Sequence, residues 1–182
     1  MKNILAFSVI MLITCQTYFS QNTLLRVLAK EDQDSRSGIN ISRSDEERLK
    51  IVIEELGKGN VRTPEDKTNA AIVLQHTGLT FCSNNLTSIS PYNYLLAHHL
   101  AKSAFEDGYK EAKYLVAQTI DRFLSFTEGY QKYGTNRLIN QQTGKEELVP
   151  IDRNTTDAER EKYGVPPLSQ LLKQYPEQQK QK

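Results

Sequence analysis

The chain has 182 residues, 38% of them hydrophobic and 25% charged, the composition of one ordinary globular domain and too little chain for a large multidomain enzyme. Lys and Arg total 23 against 22 Asp and Glu, a formal charge of +1. Lys2 is the only charge before Gln21, so the remainder is neutral and has no global field to draw it to nucleic acid or an anionic membrane.

The first 22 residues, MKNILAFSVIMLITCQTYFSQN, carry one cation, an apolar run from Ile4 to Ile13, then small and polar residues without an acid. That is the layout of a secretory signal peptide, predicted over 1–20 with cleavage after Ser20. A membrane span needs about twenty apolar residues, so no transmembrane helix is expected, and the chain is read as exported: periplasmic, secreted or held in the cell envelope. Leu12, Ile13 and Thr14 before Cys15 offer the other route, a lipid anchor on that cysteine. With Cys15 removed or acylated, Cys82 is left alone and cannot form an internal disulfide.

Residues 21–43 combine a short apolar patch, Leu24, Leu25, Val27 and Leu28, with the polar stretch EDQDSRSG, and read as a flexible linker with at most one helical turn. A single domain is expected over 44–175. Ser44 with Glu47 three residues on is a capping box for a helix to Leu56, stopped at Gly57, with Leu49, Val52, Ile53 and Leu56 on its inner face. Thr63 and Pro64 start a second helix running to about Thr77, with Gly78 as terminator. LTFCSNNLTSIS reads as a loop. Ser90 and Pro91 open a third helix ending near Gly108. The fourth, Tyr109 to about Phe126, follows so closely that the two should form an antiparallel hairpin.

Beyond Gly129, two alternating polar stretches, Gln131 to Asn140 and Lys145 to Ile151, flank the turn QQTG and predict a β-hairpin over 131–151. Thr156 and Asp157 open a short helix ended by Gly164, Pro166 and Pro167 lead into a last amphipathic turn over Leu168 to Tyr175, and 176–182 read as a disordered tail. The fold class is mainly α (α+β): a helical bundle or hairpin core with a small C-terminal β-hairpin.

Common catalytic signatures are absent: no Gly-rich phosphate loop, no G-x-S-x-G, no H-E-x-x-H and no paired cysteines. What stands out is polar residues on helical faces that should be apolar. His76 shares the inward stripe of the second helix with Asn69 and Ile72, with Gln75 beside it; it is either a satisfied helix-end histidine or part of a site. Asp121 and Arg122 point about 100° apart on their helix, so each needs a partner elsewhere: for Asp121 the following hairpin, for Arg122 the carbonyls ending its own helix, or, together, a base and an anion clamp. In Gln131–Lys132–Tyr133–Gly134–Thr135 the glycine permits a bulge, which would set the Tyr133 and Thr135 hydroxyls on one face and Lys132 on the other. His98 and His99 diverge on one helix, His98 facing away from the apolar stripe, and no metal site is expected; no cofactor is implied. The sequons at Asn40, Asn85 and Asn154 matter only if the secreting cell glycosylates.

LQHTG around Gln75 and His76, the segment YLLAHHLAKSAFEDGYKEAKYLVAQTIDRFL, QKYGT, a short Arg-bearing helix and YGVPPL together resemble a widespread, mainly bacterial family known only as a domain of unknown function. The likeness spans roughly Ser44 to Tyr175, with Asn136 where that family's string ends in glutamine. It implies a mostly helical fold and a shared polar cluster of Gln75, His76, Asp121, Arg122, Gln131, Tyr133 and Thr135, and supplies no activity. The resulting expectation is a monomeric, exported binding or interaction module for a small polar ligand or an envelope protein. The rival is a metal-independent enzyme with His76 as base, Arg122 as clamp and Tyr133 as donor.

Overall fold

A computed structural model describes residues 20–82, 85–139, 144 and 146–176. The leader, the tail from 177 and most of the predicted QQTG turn lie outside the described residues. Among those described, no helix is long and apolar enough to cross a membrane. The architecture is mainly helical with two small antiparallel hairpins.

The first element corrects the linker reading. Thr23–Arg36 is a fourteen-residue helix, α1, whose N-terminus is capped by the Asn22 side chain, which accepts from the amides of Leu24 and Leu25. Leu25, Leu28, Ala29 and Asp32 are its buried residues, spaced three, one and three apart on a single helical stripe. Its start is fastened from two sides: the Asn22 amide donates to Asp66 (2.7 Å) and its side chain to Glu55 (3.0 Å). Hydrogen bonds from Asn60, Asn22 and Lys58 hold the Glu55 carboxyl below the usual glutamate range.

Helix α2, Asp45–Gly57, begins with the predicted Ser44–Glu47 capping box. It runs through Gly57 itself, and the left-handed turn that stops it falls at Gly59, with φ of +69°. Helix α3, Pro64–Leu74, starts at Thr63 with a capping box completed by Asp66. It ends three residues earlier than its periodicity suggests, and Gly78 serves a different purpose. The segment expected as a loop folds into strands β1, Leu79–Cys82, and β2, Asn85–Ser88, paired from Leu79↔Ser88 to Cys82↔Asn85. Gly78 lies at the open end of this hairpin, where its carbonyl accepts from the Ile89 amide at 3.0 Å and a Cβ would come within 2.9 Å of the Ile89 side chain.

Helix α4, Tyr92–Glu106, and helix α5, Lys113–Thr127, are joined through Gly108 and a one-turn 3-10 helix at Lys110–Ala112. Tyr92 meets Phe123 and Tyr94 meets Phe126, while His98 meets Val116, so the pair runs antiparallel as expected. Ala97, Ala101, Ala104 and Ala112 are fully buried and let neighbouring backbones approach closely. The core joins Leu25, Leu28, Val52, Leu74, Val116 and Tyr163.

The C-terminal hairpin is shorter than its sequence pattern: β3, Arg137–Ile139, pairs with β4, Glu146–Leu148. Residues 131–136 leave the ladder except for one parallel bridge from Gln131 to Ile151. Helices α6, Asp157–Lys162, and α7, Leu168–Gln174, close the chain.

Because Leu28 is wholly buried on α1, Leu28→Ala should lower unfolding free energy by about 2–5 kcal/mol, read from denaturant titration. A loss below about 0.5 kcal/mol, the range of surface substitutions, would restore the linker reading.

Candidate functional site

The seven polar residues singled out from the sequence separate into two groups. Asp121 is fully buried on α5, and its carboxylate gathers the segment that follows the helix. Oδ1 accepts from the amides of Lys132 and Tyr133, and Oδ2 from the amide and hydroxyl of Thr135, all at 2.8 Å. Burial pushes this carboxyl above its ordinary value, while those hydrogen bonds favour its charged form. Such a turn needs Gly134: its φ is +82° and a Cβ would lie 2.2 Å from Leu171, so α7 occupies the space a side chain would take.

Gln131 is equally committed. Its Nε2 donates to the carbonyls of Asn136 (2.9 Å) and Val149 (2.8 Å), and its Oε1 accepts from the Asn136 amide (2.7 Å). The Tyr133 hydroxyl donates to Glu159 at 3.0 Å, beside Lys132 Nζ on the same carboxylate oxygen at 2.6 Å. Burial, then the Glu159 contact, pushes the Tyr133 hydroxyl well above its ordinary value. Arg160, 0% exposed, donates to the carbonyls of Tyr133 (2.5 Å) and Pro166 (2.8 Å). Tyr133 and Thr135 therefore do not present a pair of hydroxyls on a strand face. Both are spent in fastening the chain, because the aspartate nest turns 132–135 out of the ladder.

The second group lines a cleft of about 300 Å³ that includes Gln75, His76, Arg122 and Asn136. His76 lies just beyond α3, whose C-cap is Gln75, and its Nδ1 is 2.5 Å from Asp32 Oδ2. Asp32 is 1% exposed and the His76 side chain 15% exposed, so the carboxylate is sealed behind the ring. A neutral ring that donates Nδ1–H to a carboxylate keeps its lone pair on Nε2, at the opposite edge. Asp32 went unrecognised in the sequence because it falls in the stretch read as linker. The signal was there: it sits seven residues after Leu25 and four after Leu28, on the buried stripe of α1.

Arg122 reaches neither its own helix end nor a carboxylate. Its Nη1 donates to the main-chain carbonyl of Gln75, capping the C-terminus of α3. No ion pair to Arg122 occurs among the described residues, although Arg36, Arg43, Arg48 and Arg137 all have one. Burial moves its guanidinium below the ordinary arginine value, from which it remains cationic. The rest of the cleft is mixed. Arg36 and Asp45 face each other at 2.5 Å, and Arg137, Leu79, Tyr94 and Phe126 also line the cleft, with the Tyr94 and Phe126 rings stacked at 5.7 Å.

His98 departs from the reading that it faces away: its Nδ1 donates to the Val116 carbonyl of α5 at 3.0 Å, and burial pushes its imidazole down. Among the described residues no cluster of three or more His, Cys, Asp or Glu could hold a metal ion. Comparison with protein-family models, curated proteins and solved structures finds no match to this chain.

Asp121→Ala strands three main-chain donors and a hydroxyl. Since each stranded buried donor costs about 1–3 kcal/mol, the unfolding free energy should fall by at least about 3 kcal/mol, measured by denaturant titration. A loss below about 1 kcal/mol would show that the nest does not fasten the segment.

Proposed function

We propose that this protein is an exported binding module of the cell envelope or its surroundings, and that the cleft between α1, α3 and α5 takes a small anionic ligand. Arg122 carries the reading: a desolvated guanidinium that lines a cleft and forms no ion pair among the described residues suits an anion brought by a ligand. A cleft of about 300 Å³ suits a small molecule. Export rests on the leader, with its single cation, apolar run and acid-free end; anchoring through Cys15 is the variant in which that residue is acylated. The likeness to the family marked by Gln-His and Asp-Arg pairs adds support, since both residues of the first pair, Gln75 and His76, and Arg122 of the second line this cleft.

Calorimetric titration with small carboxylates should show saturable binding to the wild type. Arg122→Gln should weaken it at least tenfold, because a hydrogen bond to a charged group contributes about 1.5–3 kcal/mol. Circular dichroism checks that the variant keeps its fold despite losing the α3 cap. Absence of binding in the wild type, or equal binding in a folded variant, would remove the reading.

The Asp32–His76 contact favours a second reading, a metal-independent enzyme. Tyr133 has no part in it, being fixed to Glu159 away from the cleft, and Asp32 enters as the positioning residue. His76 would accept a proton at Nε2 while Asp32 stabilises the imidazolium and Arg122 holds developing negative charge. Among the described residues lining the cleft, the hydroxyls are those of Thr77, which donates to the Leu74 carbonyl and accepts from Asn93, and of Tyr94, which donates to the Thr77 carbonyl, so the attacking oxygen would come from water. Proton NMR of small esters incubated with the protein should then show hydrolysis that His76→Ala abolishes with ligand affinity retained. Hydrolysis unchanged by the substitution would assign it elsewhere.

A further inference from the structure

The cleft pairs its unneutralised cation with an acceptor of unusual setting. Asp45 lines the same space as Arg122, and its side chain is 35% exposed. One oxygen receives Arg36 at 2.5 Å and the other receives the buried Arg48. An ionised carboxylate offers about four lone-pair positions, so two accept nothing from these arginines. Despite the cost of burial, the Arg36 contact keeps this carboxyl below its ordinary value, and it is an acceptor throughout the neutral range.

Two kinds of donor could complete it, and the neighbourhood separates them. A ligand ammonium would gain the Asp45 charge but would sit beside Arg36 and Arg48, two cations that already neutralise that charge, with His76 also close enough to interact with it. A hydroxyl donates an equally directed hydrogen bond and carries no charge to be repelled. Leu79, Phe126 and the ring of Tyr94, stacked on Phe126, also line the cleft and offer apolar surface to a hydrocarbon or ring body.

Building on the anion reading above, we infer that the cleft selects small hydroxy-carboxylates: Arg122 takes the carboxylate, Asp45 accepts the hydrogen of the hydroxyl, and the body of the ligand lies along Leu79 and Phe126. Simple carboxylates satisfy Arg122 and leave Asp45 without its donor. Amino acids bring a cation into a carboxylate already paired twice.

Three probes of one shape test this: mandelate, phenylacetate and phenylglycine, which differ only in bearing a hydroxyl, a hydrogen or an ammonium. In calorimetric titration of the full chain at neutral pH, mandelate should bind about tenfold or more tighter than either of the others, the equivalent of about 1.4 kcal/mol. Asp45→Ala should erase the preference for mandelate over phenylacetate, with circular dichroism checking that the variant keeps its fold. Equal binding of mandelate and phenylacetate by the wild type overturns the hydroxyl assignment and leaves the anion site standing. Tighter binding of phenylglycine overturns it in favour of an ammonium. A mandelate preference that persists in Asp45→Ala overturns the role given to Asp45. If none of the three binds, the anion site and the selectivity both fall.

Discussion

Much of the C-terminal third hangs on a single buried carboxylate. Asp121 projects from α5 into a space without solvent, where an anion is costly unless donors surround it. The chain supplies those donors from its own backbone by turning 132–135 around the two oxygens. That turn makes Gly134 necessary, brings α7 against it, and sends Asn136 and Arg137 onward to the cleft. The structural half of the polar cluster thereby sets the position of part of the functional half.

The cleft draws on elements far apart in the chain. Asp32 and Arg36 come from α1, Asp45 from α2, Gln75 and His76 from the end of α3, and Arg122 from α5. Charge is matched locally: Asp32 with His76 and, more distantly at 3.6 Å, with Arg36; Asp45 with Arg36 and Arg48. Among the described residues, what the pairing leaves over is the guanidinium of Arg122. An excess charge inside an otherwise balanced, partly desolvated space is a stronger pointer to a ligand than the same charge on an open surface, where solvent and salt would screen it.

The elements legible in the sequence were those with local signals. The Ser44–Glu47 box, Thr63 followed by Pro64, and the short join at Gly108 each act within a few residues, and α2 to α5 follow from them. Helix α1 was not legible because its stripe ends in a charge, Asp32, whose partner His76 lies 44 positions along the chain. A carboxylate among Ser, Gln and Asp reads as linker until that partner is known. The β1–β2 strands were hidden for a similar reason, since Ser, Thr and Asn are turn formers by composition and only pairing made them strands. At the site, sequence spacing marked His76 and Arg122 as misplaced polar groups, which they are by helical pattern. It also marked Gln131, Tyr133 and Thr135, and nothing local distinguishes a hydroxyl offered to a ligand from one consumed by a neighbour.

Arg122 has two duties on one side chain. By capping the main chain at Gln75 it finishes α3, and His76 is the very next residue, so the guanidinium that would meet an incoming anion also steadies the peptide carrying the imidazole. Occupancy and local rigidity are mechanically linked there: whatever pulls on that cation tugs the loop bearing the ring.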